Sequence, residues 1–135
     1  MSYPITHIVG IDREIGARLK KAHIRSTGSL LEAARTVRAR KQLAKETGFD
    51  VKQLLCWANC ADRMRIKGVS KEYCELLQAA GVDTVRELKR RNAANLAHAM
   101  ADANRKRKRV RVLPSEAGVK RWIDSAKKLP LKITY

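Results

Sequence analysis

Two stretches constrain this chain more than any other: HIVGIDREIGARLKKAHI over 7–24 and RIKGVSKEYCELLQAAGV over 65–82. Each sets one glycine inside a small apolar knot and follows it with helical periodicity. A shift of 58 residues places Ile8 on Ile66, Gly10 on Gly68, Glu14 on Glu72, Leu19 on Leu77, Ala22 on Ala80 and Leu30 on Leu88, with no gap. Ile11 with Val69, Arg13 with Lys71, Ile24 with Val82 and Ser26 with Thr84 fill the positions between as conservative pairs. A second match, at a shift of 65, aligns 50–64 with 115–129, so that Leu54, Trp57, Ala61 and Met64 answer Val119, Trp122, Ala126 and Leu129 on one helix face. We read an internal duplication. The seven extra residues fall around NRKRKRVRVLP, 104–114.

Caps and breakers divide the chain into helices near 12–23, 27–35, 37–47, 51–64, 70–80, 84–91, 93–106 and 116–128. Gly48 and Gly81 stop two of them, and Asp50 and Ser115 begin two others. No segment alternates long enough for a strand, so the expected fold is all-α. It reads as one domain over 1–135, with repeat one at 1–64, repeat two at 65–129 and a short C-terminal tail at 130–135.

Charge then narrows the partner. Thirty Lys and Arg stand against 13 Asp and Glu, a formal net charge of +17, in a chain that is 44% hydrophobic. That is a folded core carrying a polyanion's counter-charge. The excess is uneven: 11 basic and 6 acidic residues over 1–62, but 19 and 7 over 63–135. The second half should therefore carry most of the binding. Apolar stretches are far too short for a membrane span, and MSYPITHIVG lacks the pattern of a secretory signal. Three cysteines without framework spacing fit a reducing compartment, and the expected setting is cytoplasmic, on the nucleoid.

The knots have a chemical reading. Apolar residues two before and one after each glycine (Ile8 and Ile11, Ile66 and Val69) anchor a tight turn, and glycine permits the backbone angles it needs. The turn opens a helix, whose unpaired amides face outward at the positive end of the helix dipole, a ready anion site. With an apolar residue, any residue, glycine, apolar, a fifth position, then Gly16 or Cys74 and Leu19 or Leu77, both segments resemble helix-hairpin-helix motifs. The resemblance implies hairpin amides that bind duplex phosphates with little sequence preference, and two repeats that are each a helix-hairpin-helix followed by a helical pair. The whole chain also resembles a family of small bacterial proteins known as a domain of unknown function, which implies no activity.

The fifth position, glycine in the motif, is Asp12 in the first copy and Ser70 in the second. Asp12 sets a negative charge beside the anion site, so hairpin one reads as mainly structural, with Gly10, Ile11 and Arg13 as secondary contacts. Ser70 can cap the helix or donate its hydroxyl, and lysines flank it. The phosphate clamp is therefore assigned to Lys67, Gly68, Val69, Ser70 and Lys71.

RKRKRVR at 105–111 holds six basic side chains in seven. Whether it continues the helix or runs extended, it favours counterion release over base reading, which adds Arg105, Lys106, Arg107, Lys108, Arg109 and Arg111 to the phosphate contacts. Arg35, Arg38, Arg40 and Lys41 form a lesser patch, of which Arg38 and Lys41 are the weaker candidates. Cys56 and Cys60 lie four apart but lack a completing ligand set, so no metal site is assigned. His7, His23 and His98 have no nucleophile or carboxylate at motif spacing. Trp57 and Trp122 recur at matching positions and read as core anchors. No cofactor motif or catalytic constellation is present, and no enzyme activity is expected. Three functions fit: sequence-nonspecific binding of double-stranded DNA, in a nucleoid-associated or repair and recombination role; binding of RNA or the ribosome; and protein docking without nucleic acid. The first is the expectation taken forward.

Overall fold

The structure, a computed structural model, describes residues 2–135. Among them the chain forms α1 (Arg13–Lys21), α2 (Thr27–Ala33), α3 (Val37–Thr47), α4 (Val51–Arg63), α5 (Lys71–Ala79), α6 (Val85–Leu88), α7 (Ala93–Lys106) and α8 (Glu116–Lys128), with a single 3-10 turn at Ile5–His7. The only strand-like pairing among them is an isolated bridge between Pro4 and Ser26. The protein is all-α. Helix ends fall within two residues of the expected positions except for α6, which stops at Leu88 instead of reaching 91. There the amides of Arg90 and Arg91 turn back onto the Glu87 and Leu88 carbonyls, at 3.2 and 3.1 Å, and free Asn92 to cap α7.

Local chemistry explains most helix starts. Asp12, Ser26, Thr36, Asp50, Thr84, Asn92 and Ser115 each accept an amide hydrogen of the first turn that follows. Ser70, ahead of α5, does not. The starts of α1 and α5, at Arg13 and Lys71, lie 58 residues apart, as do those of α2 and α6, at Thr27 and Val85; α4 and α8, at Val51 and Glu116, lie 65 apart. The additional length sits in α7 and in the 107–115 link.

Ile5, Ile8, Leu19, Leu30, Leu54, Met64, Ile66, Leu76, Leu77, Leu88, Leu96 and Met100 are the large residues sealed from solvent in one core cluster. Within the first half α4 packs on α2 and α3; in the second, α8 packs on α6 and α7 while α5 packs on α7. Contact between α4 and α6 joins the halves.

Both knots are built alike. Gly10 and Gly68 take φ of +88° and +92°, in the left-handed region that a side chain disfavours. Their flanking apolar residues are buried: Ile8 and Ile11 in one, Ile66 and Val69 in the other. A tryptophan from the last helix of the same half closes over each glycine. A Cβ on Gly10 would lie 3.5 Å from Trp57 Nε1, and one on Gly68 only 3.2 Å from Trp122 Nε1. Phe49 meets Trp57 edge-on at 5.1 Å, and Tyr73 lies tilted to Trp122 at 5.4 Å.

The segment 130–135 is a strap. Ile133 is buried, the Thr134 amide donates to the Arg35 carbonyl at 2.8 Å, and the Tyr135 hydroxyl donates to Asn59 Oδ1 at 2.8 Å. Arg40, itself buried, donates to the carbonyls of Ala34, Arg35 and Thr134 at 2.9, 3.1 and 2.6 Å.

One position departs from the pattern between halves. After α1 the left-handed residue is His23, at φ +66°, where the second half has Gly81, at +95°. The same bonds follow: the amides of Ile24 and Val82 reach back to the Leu19 and Leu77 carbonyls. His23 is exposed, so its ring contributes no burial. His23→Gly should raise stability by about 0.5–1 kcal/mol, the relief of the left-handed strain less the added freedom of the unfolded chain. Urea unfolding measures it.

Candidate nucleic-acid interface

The second knot differs from the first at its helix start. In α1, Asp12 Oδ1 accepts the Ile15 amide at 2.8 Å and closes the first turn. In α5, the Ser70 backbone has the extended conformation of a cap, yet its hydroxyl donates to Glu72 Oε2 at 3.2 Å and leaves the first-turn amides without a side-chain acceptor. The difference follows from side-chain chemistry: a carboxylate accepts hydrogen bonds only, whereas a hydroxyl can donate to a nearby carboxylate instead.

The knot also engages some of its own donors. The Val69 amide donates to the Ile66 carbonyl at 3.1 Å, and the Ile11 amide to Ile8 at 3.1 Å. Val69 and Ile11 were assigned as phosphate contacts on their amides, and here those amides close the turn while both side chains are buried. None of the knot's hydrogen bonds draws on the amides of Gly68 or Ser70. Lys67, Gly68 and Lys71 are exposed. Lys67 and Gly68 border an open depression of about 380 Å³ whose other walls are Arg121, Trp122 and Ser125. Arg121, from α8, is a cation that sequence reading missed. Its signal was its place beside Trp122, the residue aligned with Trp57.

The basic run adopts neither anticipated form throughout. Arg105 and Lys106 end α7, and Arg107 turns extended. Asn104 then acts as a clamp: its Oδ1 accepts the amides of Arg109 and Val110 at 2.7 and 3.1 Å, and its Nδ2 donates to the Val110 carbonyl at 3.2 Å. Arg109 folds inward, with 16% of its side chain exposed, and donates through Nη1 to the carbonyls of Ala103 and Arg107 at 3.2 and 2.9 Å. Those bonds satisfy acceptors at the end of α7, so Arg109 braces that helix end. Arg105 pairs with Asp102 on the surface. Lys106, Lys108 and Arg111 are exposed, as is Arg107, which pairs with Glu75.

The structure brings this link onto α5. The Tyr73 hydroxyl donates to the Val112 carbonyl at 2.7 Å, and Glu75 Oε1 lies 3.6 Å from Arg109 Nε and 3.8 Å from Arg107 Nη2. Tyr73 also lies against Trp122, the tryptophan that covers Gly68. One helix thus carries the open knot at its start and the basic link along its side.

The remaining candidates are placed elsewhere. Gly10 and Arg13 are exposed at the first knot, where Asp12 and Glu14 lie close in sequence. Arg38 and Lys41 are exposed on α3, whose neighbours are α2 and α4. Arg40, counted with that patch, is buried and bonded to carbonyls, so it does not belong to the surface.

Among the described residues no group of three or more His, Cys, Asp and Glu could hold a metal ion, and no helix is long and apolar enough to cross a membrane. The features define an all-helical protein with two tryptophan-covered glycine knots and a clamped basic link. It belongs to the family described as a domain of unknown function, DUF4332, whose model matches residues 9–129 and so spans both knots, both tryptophans and the link. No curated protein and no solved structure matches the chain.

Arg109 and Arg111 should separate brace from surface charge. Arg109→Ala is expected to lower stability by about 1–3 kcal/mol through the lost helix-end bonds, and Arg111→Ala by less than about 0.5 kcal/mol. Chemical denaturation of the two variants tests the division.

Proposed function

We propose that this protein binds double-stranded DNA through backbone phosphates, with little sequence preference, and that it is not an enzyme. The observation that carries the reading is the junction on α5. Its uncapped first turn and the Gly68 knot lie on the same helix that the 107–112 link is tied to by Tyr73 and Glu75. Amides at a helix start favour an anion, and neighbouring exposed cations neutralise the phosphates beside it. The phosphate at the knot is met by Gly68, Ser70 and the start of α5, with Lys67, Lys71 and Arg121 around it. Lys106, Arg107, Lys108 and Arg111 serve the adjoining backbone.

Further support comes from the likeness of both knots to helix-hairpin-helix motifs and from the matched helices, 58 residues apart for α1 with α5 and α2 with α6 and 65 for α4 with α8, which we read as one duplicated unit. The copies have different parts to play. Asp12 closes the first turn of α1 and sets a carboxylate at the first knot, which fits an architectural role there. A nucleoid-associated protein or an accessory to repair or recombination is the class of activity that such binding serves.

A salt series with a random duplex and a structured RNA of equal length, followed by fluorescence anisotropy, tests the reading. Neutralising about 4–6 phosphates gives a slope of log affinity against log salt of roughly −4 to −5. A duplex preference with that slope supports the proposal; RNA preference replaces DNA by RNA as the partner; absence of binding to either makes the knots purely architectural. Gly68→Val, where the fold survives, is expected to weaken duplex binding far more than Gly10→Val, and equal losses would remove the distinction between the knots.

A further inference from the structure

Beneath the second knot lies a thiol pair that nothing above uses. Cys60, on α4, and Cys74, in the first turn of α5, are both buried, and their Sγ atoms are 2.8 Å apart. The Cys74 amide donates to the Ser70 carbonyl, so this sulfur hangs from the turn that begins at the knot. Arg63, one turn beyond Cys60 and almost fully buried, directs Nη2 to Cys74 Sγ at 3.1 Å and bonds the Asp83 carbonyl through Nη1. Its Nε is buried with no hydrogen-bond partner. A buried guanidinium beside two sulfurs, with a donor still unmatched, suits negative charge on sulfur better than two neutral thiols.

We infer that Cys60 and Cys74 form a reactive dithiol that a hydroperoxide closes to an intramolecular disulfide, joining α4 to α5. The sulfurs need approach by well under 1 Å to reach a bond of about 2.05 Å. The hydrogen bond shared by the two sulfurs, with the charge of Arg63 and against the effect of burial, lowers the Cys60 thiol, and the same bond and burial raise Cys74. One sulfur of the pair attacks as thiolate and the other resolves. A cleft of about 230 Å³, lined by Cys56, Asn59, Arg63, Gln78 and Asp83 among others, opens over Arg63, the side chain that contacts Cys74 Sγ.

The chemistry closes in two displacements. The thiolate of the pair attacks the peroxide, an S–O bond forms as the O–O bond breaks, and the departing oxygen leaves as water or an alcohol after taking a proton. The second sulfur then attacks the first; the S–S bond forms, the S–O bond breaks, and hydroxide leaves as water with the proton of the second thiol. Two thiols and one hydroperoxide give one disulfide, one alcohol or water, and one water. Sulfur is oxidised by two electrons and the peroxide reduced by two.

Cys56 is exposed on the cleft and is a separate thiol, 3.8 Å from Gln78 Nε2. The test therefore uses both the native chain and Cys56→Ser. Each is treated with hydrogen peroxide under folding conditions, quenched, and alkylated after unfolding. The expected result is loss of both thiols in Cys56→Ser, a mass lower by about 2 Da, a non-reducing peptide map that links Cys60 to Cys74, and reversal by a dithiol. In the native chain the same link should form while Cys56 still alkylates, and its rate should rise with pH as the thiolate forms. Added oxygen of ~16 Da or a multiple without a link, a bond from Cys56, a bond between two chains, or thiols left unreacted would each overturn the inference.

Discussion

A left-handed glycine pressed against an indole edge is the contact on which the rest of the molecule depends. At Gly10 and Gly68 the left-handed backbone disfavours a side chain, and a Cβ would meet the tryptophan nitrogen, in ordinary contact at Gly10 and tightly at Gly68. The turn direction fixes where the next helix starts, and the tryptophan fixes how the last helix of that half lies against it. Apolar residues on both sides of the glycine bury the turn from below. Helix pairs, core and surface all inherit their orientation from these two closures.

Arginine has a second role here besides surface charge. Arg40 bonds carbonyls at the end of α2 and on the 130–135 strap, Arg109 bonds those at the end of α7, and Arg18 bonds the Thr47 carbonyl at the end of α3 at 2.7 Å while stacking its guanidinium 4.1 Å above Phe49. A rigid fork with several donors fits the unpaired acceptors of a helix end better than a lysine does. Burial lowers the affinity of Arg40 for its proton relative to an exposed guanidinium, and the carbonyl dipoles compensate the charge in place of an acidic partner. The formal net charge of +17 thus counts cations that build the molecule together with those that face solvent.

Local features were legible in the sequence and distant ones were not. Cap residues such as Asp50 and Ser115 announced helix starts because an N-cap acts within three residues, and the glycine spacing announced both knots. Ser70 looked like a cap by the same rule and is not one, because Glu72, two residues on, competes for its hydroxyl. The inward fold of Arg109 depends on Asn104 and on Glu75, far earlier in the chain, and a run of like charges gives no sign of which member turns away. The pairing of Cys60 with Cys74 was equally hidden: regular spacing drew attention to Cys56 and Cys60 on one helix, whereas the close contact is between helices. The strap at 130–135 lacks any periodic signal, and its bonds reach back to residues near Arg35, Arg40 and Asn59.

The two indoles have a practical consequence. Each tryptophan covers a different glycine, and they are the only two in the chain. Their Nε1 atoms lie within van der Waals range of where each glycine would carry a side chain, so the environment of each ring registers the shape of one knot and not the other. The protein therefore contains a native optical reporter for each half, and replacing one indole by phenylalanine isolates the emission and the indole proton resonance of its counterpart. Events at the two knots can be followed separately with no label attached.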